Sequence, residues 1–394
     1  MTAGKIVYLD NSATTALSDA AQEAMTAAMQ CYGNPSSTHT VGMRAAEMLK
    51  NAREQVAGAL GVRNPAPGEL IFTASGTEAS NTALFGTVYA KARRTGHTIL
   101  TTDAEHPSVE NCMQRLEADG FRVVRIPTRD GLLDTEQALA TLKAGDVTLV
   151  SMMMVNNELG ARFDVERVFA AARAQDPAIV THCDAVQGFL KCPFTVRSLG
   201  ADLITVSAHK IHGPKGVGAL YISPALIKAK KIVPYLIGGG QESGMRSGTE
   251  NIIGIAGFGA AAAEGYAHLS EQIAAMQALR TYAIERLSAA GFALHLPRGA
   301  CAPHILSVAL PDIKSETMLN LLSREGICVS AGSACSSNHK GRHLSQSLLA
   351  FGISPAEADC TLRISLCPEN TREDIDALTC VLTANAARLV RIHR

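Results

Sequence analysis

The sequence carries no net charge, no paired-cysteine motif, no long apolar run and no internal repeat, and each absence removes a class of function. Its 36 basic side chains are matched by 36 acidic ones, so no global field draws in nucleic acid or an anionic membrane. The 10 cysteines are scattered without any C-x-x-C pair, which argues against a zinc knuckle and, in a chain this long, against a disulfide framework. Such thiols suit a reducing compartment, here the cytoplasm, and most should act as small buried hydrophobes. No run approaches the roughly 18 apolar residues that a membrane helix requires. The N-terminal stretch lacks a basic region leading into an apolar one, so the expectation is a protein made without a cleaved leader. No membrane contact, no direct nucleic-acid partner and no metal are expected.

What is present is a globular composition, 47% hydrophobic and 18% charged, over 394 residues, long enough for more than one core. Short β-branched or aliphatic runs recur at Glu69 to Thr73, Thr98 to Thr102, Phe121 to Pro127, Val147 to Met153, Ala178 to Cys183, Asp202 to Val206 and Val217 to Ile222. Between several lie Ala-rich segments of helical period, such as Thr77 to Arg94 and Val165 to Arg173. Alternation of this kind predicts an α/β fold with a mainly parallel sheet covered by helices. An earlier helix is predicted over Val41 to Leu60, where Ala45, Leu49, Ala52, Val56 and Leu60 share a face. After Gly238-Gly239-Gly240 one long helical stretch, Ile252 to Ala290, leads into a second αβ pattern. The division expected is a large domain over 17–260 and a smaller α/β domain built from 1–16 and 261–394.

In an open parallel sheet, ligands sit beyond the carboxyl ends of the strands. Just after the predicted strands stand Ser75-Gly76-Thr77, His106, Asn156-Asn157, Asp184 with Gln187, and Ser207 with His209-Lys210. Gly76 and Thr77 open a helix, where backbone N–H groups and the Thr77 hydroxyl can hold a phosphate, although a Thr N-cap with no ligand explains the pattern as simply. Lys210 is either a solvated lysine or an amine whose proton affinity is lowered by desolvation, suited to Schiff-base chemistry. Asp184 either caps a helix or keeps a pyridine nitrogen protonated, which makes the ring an electron sink. Cys335 sits among the small residues of Ser330-Ala331-Gly332-Ser333-Ala334-Cys335-Ser336-Ser337. That setting gives a thiol little steric cover, as nucleophilic sulfur chemistry needs, where a buried structural cysteine is the alternative. His39, His97, His182 and His304 have no spaced partner and are read as satisfied structural histidines.

The order Tyr8-Leu9-Asp10-Asn11-Ser12-Ala13-Thr14-Thr15, Gly33-Asn34-Pro35-Ser36-Ser37, Glu105-His106, Val155-Asn156-Asn157-Glu158, Asp184-Ala185-Val186-Gln187, Ser207-Ala208-His209-Lys210, Arg246-Ser247-Gly248-Thr249 and Gly332-Ser333-Ala334-Cys335 resembles the NifS/IscS-type cysteine desulfurases. Those are fold-type I pyridoxal-phosphate enzymes of the class V aminotransferase family. The resemblance implies that Lys210 carries pyridoxal 5'-phosphate, Asp184 meets its ring nitrogen, Gln187 its ring hydroxyl, and His106 stacks on the ring and moves protons. It assigns the phosphate to Gly76, Thr77, Ser207 and His209, with Thr249 from the partner of a homodimer. Arg363 takes the carboxylate of L-cysteine with help from Asn157, which also borders the cofactor, and Cys335 receives the sulfur as a persulfide. A sulfur-acceptor protein, an iron–sulfur scaffold or a tRNA-thiolation protein, then takes it on.

One stretch departs from the family. After Cys335, the run Asn338-His339-Lys340-Gly341-Arg342-His343-Leu344-Ser345-Gln346-Ser347-Leu348-Leu349 replaces a familiar motif, with Leu344 where proline is usual, and this bears on the acceptor more than on catalysis. A long C-terminal docking tail is expected to be missing. A class V aminotransferase or a selenocysteine lyase would use the same Lys210 and Asp184 without depending on Cys335, and the Gly-Ser-Ala-Cys context tells against both. A noncatalytic sulfur-relay protein would not need Lys210, Asp184, Gln187 and His106 together.

Overall fold

The computed structural model describes residues 6–90, 96–331 and 344–392. The chain enters through a two-residue strand, β1 (Val7–Tyr8), and two helices, α1 (Asp19–Met29) and α2 (Thr40–Ala59). Ser18 and His39 start these helices by accepting from the backbone N–H groups of Ala21 and Gly42, donors that a helix start leaves open. The predicted helix over 41–60 is α2. By contrast α1 gave no clear signal, because only Ala21 and Ala28 of its residues are buried and alanine marks a face weakly.

The seven apolar runs are all strands, with ends shifted by a residue or two: β2 (Leu70–Thr73), β3 (Thr98–Thr102), β4 (Arg122–Ile126), β5 (Val147–Met153), β6 (Val180–Asp184), β7 (Leu203–Ser207) and β8 (Gly218–Ile222). They form one sheet in the order β2-β8-β7-β6-β5-β3-β4. From β4 across to β7 neighbours run parallel, while β8 is antiparallel to both β2 and β7. The connections are α3 (Gly76–Val88), α4 (Pro107–Ala118), α5 (Thr135–Lys143), α6 (Val165–Gln175) and the short α7 (Val196–Leu199) and α8 (Pro224–Lys228). Successive strand residues serve opposite faces. Ile71, Ile99 and Leu149 pack with α3 and α4 on one side, and Phe72, Leu100 and Val150 pack with α2 and α6 on the other.

The stretch predicted as one helix over 252–290 is two, α9 (Ile252–Ala267) and α10 (Leu269–Ala289), parted at His268. The break lets each face its own core. Ile255, Phe258 and Ala262 of α9 join the core with α1 and α2. Leu279, Ala283 and Leu287 of α10 join a separate core with Val7, Leu9, Leu306 and Ile364. That second core is built on β9 (Ala293–Leu294), β10 (Ile305–Ala309), α11 (Ser315–Arg324), β11 (Ile327–Cys328), β12 (Ser330–Ala331), β13 (Thr361–Ser365) and α14 (Arg372–Ile392). Four of its strands pair antiparallel in the order β12-β13-β10-β9, and β1 lies parallel to β11. Two short helices, α12 (Gln346–Ala350) and α13 (Pro355–Ala358), return to the first core through Leu348, Phe351 and Ala358.

Candidate active site

The carboxyl ends of the parallel strands open onto a cavity of about 290 Å³. Its lining includes Gly76, Thr77, His106, Asn157, Asp184, Gln187, Ser207, His209, Lys210 and Arg363, together with Ser12, Ala13, Ser75 and Ser108. Most of the expected site residues are thus brought together from separate strand ends. Thr249 is not among them: it is exposed and lines a separate cleft beside Phe72, Thr73 and Arg246. Cys335 lies outside the described residues.

Lys210 ends a single 3-10 turn, Ala208–Lys210, that follows β7 directly. Its Nζ donates to the carbonyls of Ser12 at 2.6 Å and Ala13 at 2.8 Å. Asp184 is the last residue of β6, not a helix cap, and its Oδ1 accepts from Val186 N at 3.0 Å. Burial raises its carboxyl to about 6, against the Val186 N–H and the charge of Lys210, which pull it down. Gln187 is held by donating to Ser12 O at 2.9 Å, and its Oε1 lies 3.3 Å from His304 Nε2. His304 therefore touches the site rather than standing apart as a satisfied core residue, and its Nδ1 has no partner among the described residues.

His106 opens α4. Its Nδ1 accepts from Ser108 N at 3.1 Å, which assigns the ring proton of the neutral form to Nε2. Burial, with the charges of Lys210 and Arg363, lowers this imidazole to about 4, so it is neutral at ordinary pH. His209 is likewise lowered to about 4 by burial and by Lys210, Lys215 and Lys191. At the helix start of α3 the cap is Ser75, whose hydroxyl accepts from Glu78 N at 3.1 Å, not Thr77 as the plain reading had it. Thr77 is exposed and lines the cavity beside the buried Gly76 and Ser207. The strand β8 comes so close that a Cβ on Gly218 would lie 2.6 Å from Ser75 C and 2.8 Å from Gly76 N. No sequence signal singled out Gly218, because its need is set by a neighbour far along the chain.

Arg363, on β13, is buried and reaches in from the second core. It pairs with Asp10 at 2.8 Å and donates to the Asn157 carbonyl at 3.0 Å. Asp10 stood inside a recognised motif without an assigned task, and its partner could not be seen from sequence. The donor set fits pyridoxal phosphate. There is an amine for its aldehyde, a buried carboxylate for its ring nitrogen, and hydroxyl and backbone N–H donors at a helix start for its phosphate. The guanidinium beside them suits a carboxylate.

Known proteins give the same picture. The chain is 35% identical to a cysteine desulfurase of Nostoc sp. over 98% of its length and 94% of the relative's. It is 36% identical to the cysteine desulfurase NifS of Azotobacter vinelandii over 94% of this chain and 90% of the other. Among solved structures, a NifS-like protein superposes with a TM-score of 0.88 at 36% identity, covering 97% of this chain and all of that one. A structure described as SspA in complex with cysteine superposes at 0.77 with 30% identity, over 92% of this chain and 99% of that one. Residues 7–378 match the family described as Aminotransferase class-V, and with a sheet, a cavity and full-length relatives of that kind, the chain belongs to the class-V aminotransferase family.

Proposed function

We propose that the chain is a pyridoxal-phosphate-dependent cysteine desulfurase that moves the sulfur of L-cysteine onto Cys335. The observation that carries this reading is the convergence of Lys210, Asp184 and Arg363 on one cavity, which joins an amine, a ring-nitrogen partner and a carboxylate receptor. Full-length similarity to cysteine desulfurases selects the reaction among those the family's fold supports.

When bound, pyridoxal phosphate supplies an electron sink that acidifies the substrate α-carbon and loosens its Cβ–S bond. Asp184 keeps a proton on the ring nitrogen. Gln187 meets the ring hydroxyl, and Gly76, Thr77, Ser207 and His209 hold the phosphate at the start of α3. Arg363 fixes the substrate carboxylate, with Asn157 beside it, so that the α-proton faces Lys210 Nζ, which removes it. The carbonyls of Ser12 and Ala13 receive that amine when it is protonated. His106, neutral and carrying its proton on Nε2, can donate a hydrogen bond toward the substrate, and it can serve in the proton steps only when first protonated. The Cys335 sulfur attacks the substrate sulfur: an S–S bond forms, the Cβ–S bond breaks with its electron pair left on Cβ, and Cβ takes a proton. L-Cysteine and the Cys335 thiol thus become L-alanine and a Cys335 persulfide.

A homodimer completes the site in this reading. Tyr235, Leu236 and Ile237 are exposed, Ile237 by 86%. This stretch is tied to the Thr249 segment, since Ser247 N donates to Leu236 O at 3.1 Å. Covering that apolar surface with a second copy would carry Thr249 toward the partner's phosphate site. The persulfide then passes to an acceptor protein, an iron–sulfur scaffold or a tRNA-thiolation protein. The cysteines among the described residues are all free, which supports the reducing cytoplasm as the compartment. No helix among the described residues is long and apolar enough to cross a membrane.

The test is alanine and sulfide release from L-cysteine by the purified yellow protein, with Cys335→Ala alongside. Both products from the parent and neither from an equally yellow variant is the expected result. A fully cofactor-loaded parent that is inert toward cysteine even with a reductant would overturn the reading in favour of another class-V reaction.

A further inference from the structure

The Ser12 carbonyl is the meeting point of two side chains that the proposed reaction uses. Lys210 Nζ donates to it at 2.6 Å and Gln187 Nε2 at 2.9 Å. In pyridoxal the ring hydroxyl stands next to the carbon that bears the aldehyde, so an amide held beside the lysine is placed for that hydroxyl. An amide has two faces, however: its nitrogen donates and its oxygen accepts. Which face meets the ring decides whether the ring oxygen is held as an anion or must keep its proton.

Two neighbours fix that choice. The Ser12 carbonyl takes Nε2, since a turned amide would set two oxygens against each other. Gln187 Oε1 is then left facing His304 Nε2 at 3.3 Å. His304 is wholly buried. Burial, with the charges of Lys191, Arg363, Arg280 and Lys210, holds its imidazole well below the ordinary value, so the ring is neutral and carries one N–H. Its Nδ1 has no partner among the described residues, and a buried N–H without an acceptor costs more than a bare ring nitrogen. The proton therefore stands on Nε2 and is donated to Gln187 Oε1.

The second core fastens both of these neighbours. Ile305 and Ser365 pair where β10 meets β13. Beside that pair the His304 carbonyl accepts from Leu366 N at 2.8 Å, and Ser365 Oγ accepts from Ser12 N at 2.8 Å. The Gln187 amide is thus gripped at its nitrogen and its oxygen by residues tied to one strand end. We infer that His304 is a positioning residue for the cofactor: by donating from Nε2 to Gln187 Oε1, it locks the amide with its nitrogen toward the Ser12 carbonyl and the ring hydroxyl. A donor on the ring oxygen draws off negative charge that would otherwise hold the proton of the neighbouring lysine–cofactor linkage, so it lowers the pH at which that proton is lost. Asp184, His106, His209 and Lys191 feel the charge of Lys210, and Arg363 lines the same cavity. Exchanging a neutral imidazole for another neutral side chain leaves all of these charges in place. The inference rests on Lys210 holding pyridoxal phosphate.

The test reads the resting holoprotein without substrate, through the pH midpoint at which its visible cofactor band changes. Gln187→Leu should raise that midpoint by about one unit, and His304→Leu by most of the same amount. In the double variant the second change should add nothing, because both remove one interaction. His304→Gln, whose amide nitrogen can stand where Nε2 does, should return the midpoint to the parent's. If leucine at 304 prevents folding, His304→Met carries the same expectation. A parental midpoint in the His304→Leu or His304→Met protein, beside a raised one in Gln187→Leu, would overturn the proposal. So would shifts that add in the double variant, or a lowered melting temperature with an unmoved midpoint, which marks a merely structural role. A parental midpoint in Gln187→Leu would remove Gln187 from the ring hydroxyl and His304's task with it. A parent in which borohydride fixes no cofactor to Lys210 would instead overturn the cofactor reading itself.

Discussion

At the scale of single residues, the site depends on charges that the fold holds away from their usual states. Glu105 is fully buried; its Oε1 accepts from Thr102 Oγ1 at 2.7 Å and Met153 N at 2.9 Å, and its Oε2 has no partner among the described residues. Burial raises it from 4.5 to about 8. Across that interval the folded chain holds a proton that the unfolded chain has released, so this group favours folding at low pH and loses that contribution as pH rises through about 8. Glu105→Gln keeps an oxygen for both donors and cannot ionise. Its stability should exceed the parent's increasingly from about pH 5 to 8, by on the order of a few kcal/mol at the upper end, read as a growing gap in melting temperature; an equal gap at every pH would exclude the effect. Arg363→Lys should raise KM for cysteine roughly tenfold to a hundredfold, more than it lowers kcat, because an ammonium cannot hold a carboxylate at two points. Steady-state kinetics read this directly, and an unchanged KM would remove Arg363 from the carboxylate site. Lys210 and Asp184 were legible from sequence because each stands at or just after an apolar run inside a motif that resembles a known family, which decided against the solvated-lysine and helix-cap alternatives. Asp10 was not, since its value lies in a partner at position 363.

At the scale of elements, the strands were legible and the helices only partly so. A strand buried on both faces is a plain run of β-branched and aliphatic residues, as Val147 to Met153 shows. Helices rich in alanine carry little contrast between faces, which hid α1 and also the break at His268, where the apolar pattern runs on while the buried side turns to another core. The antiparallel placing of β8 was equally hidden, although it shapes the α3 end of the cavity, where the phosphate is proposed to lie, because Gly218 must lie against Ser75 and Gly76. Gly218→Ala should push that turn outward and weaken pyridoxal phosphate binding about tenfold or more, with a stability loss of about 1–3 kcal/mol. Titration of the cofactor-free protein by absorbance measures the first effect and thermal melting the second. An unchanged affinity would mean that the turn does not hold the phosphate.

At the scale of the molecule, the proposed second copy is the element that composition could not reveal. Replacing Ile237, the most exposed large apolar residue of its stretch, by glutamate places a charge where burial is expected. Ile237→Glu should sediment as a monomer and lose cofactor faster than the parent, because each phosphate site would then lack the partner's Thr249. A variant that remains dimeric and fully yellow would move the interface elsewhere. Within one copy, the cavity is joined across nearly the whole length of the chain: Asp10 bonds Arg363, and Asn11 and Ser12 bond Ser365. During synthesis, the first residues of the site must therefore wait for almost the last before the pocket can close around its cofactor. A polypeptide interrupted before Thr361 would lack the partners of all three, so the yellow colour of a preparation doubles as a measure of how many of its chains were made through to that strand.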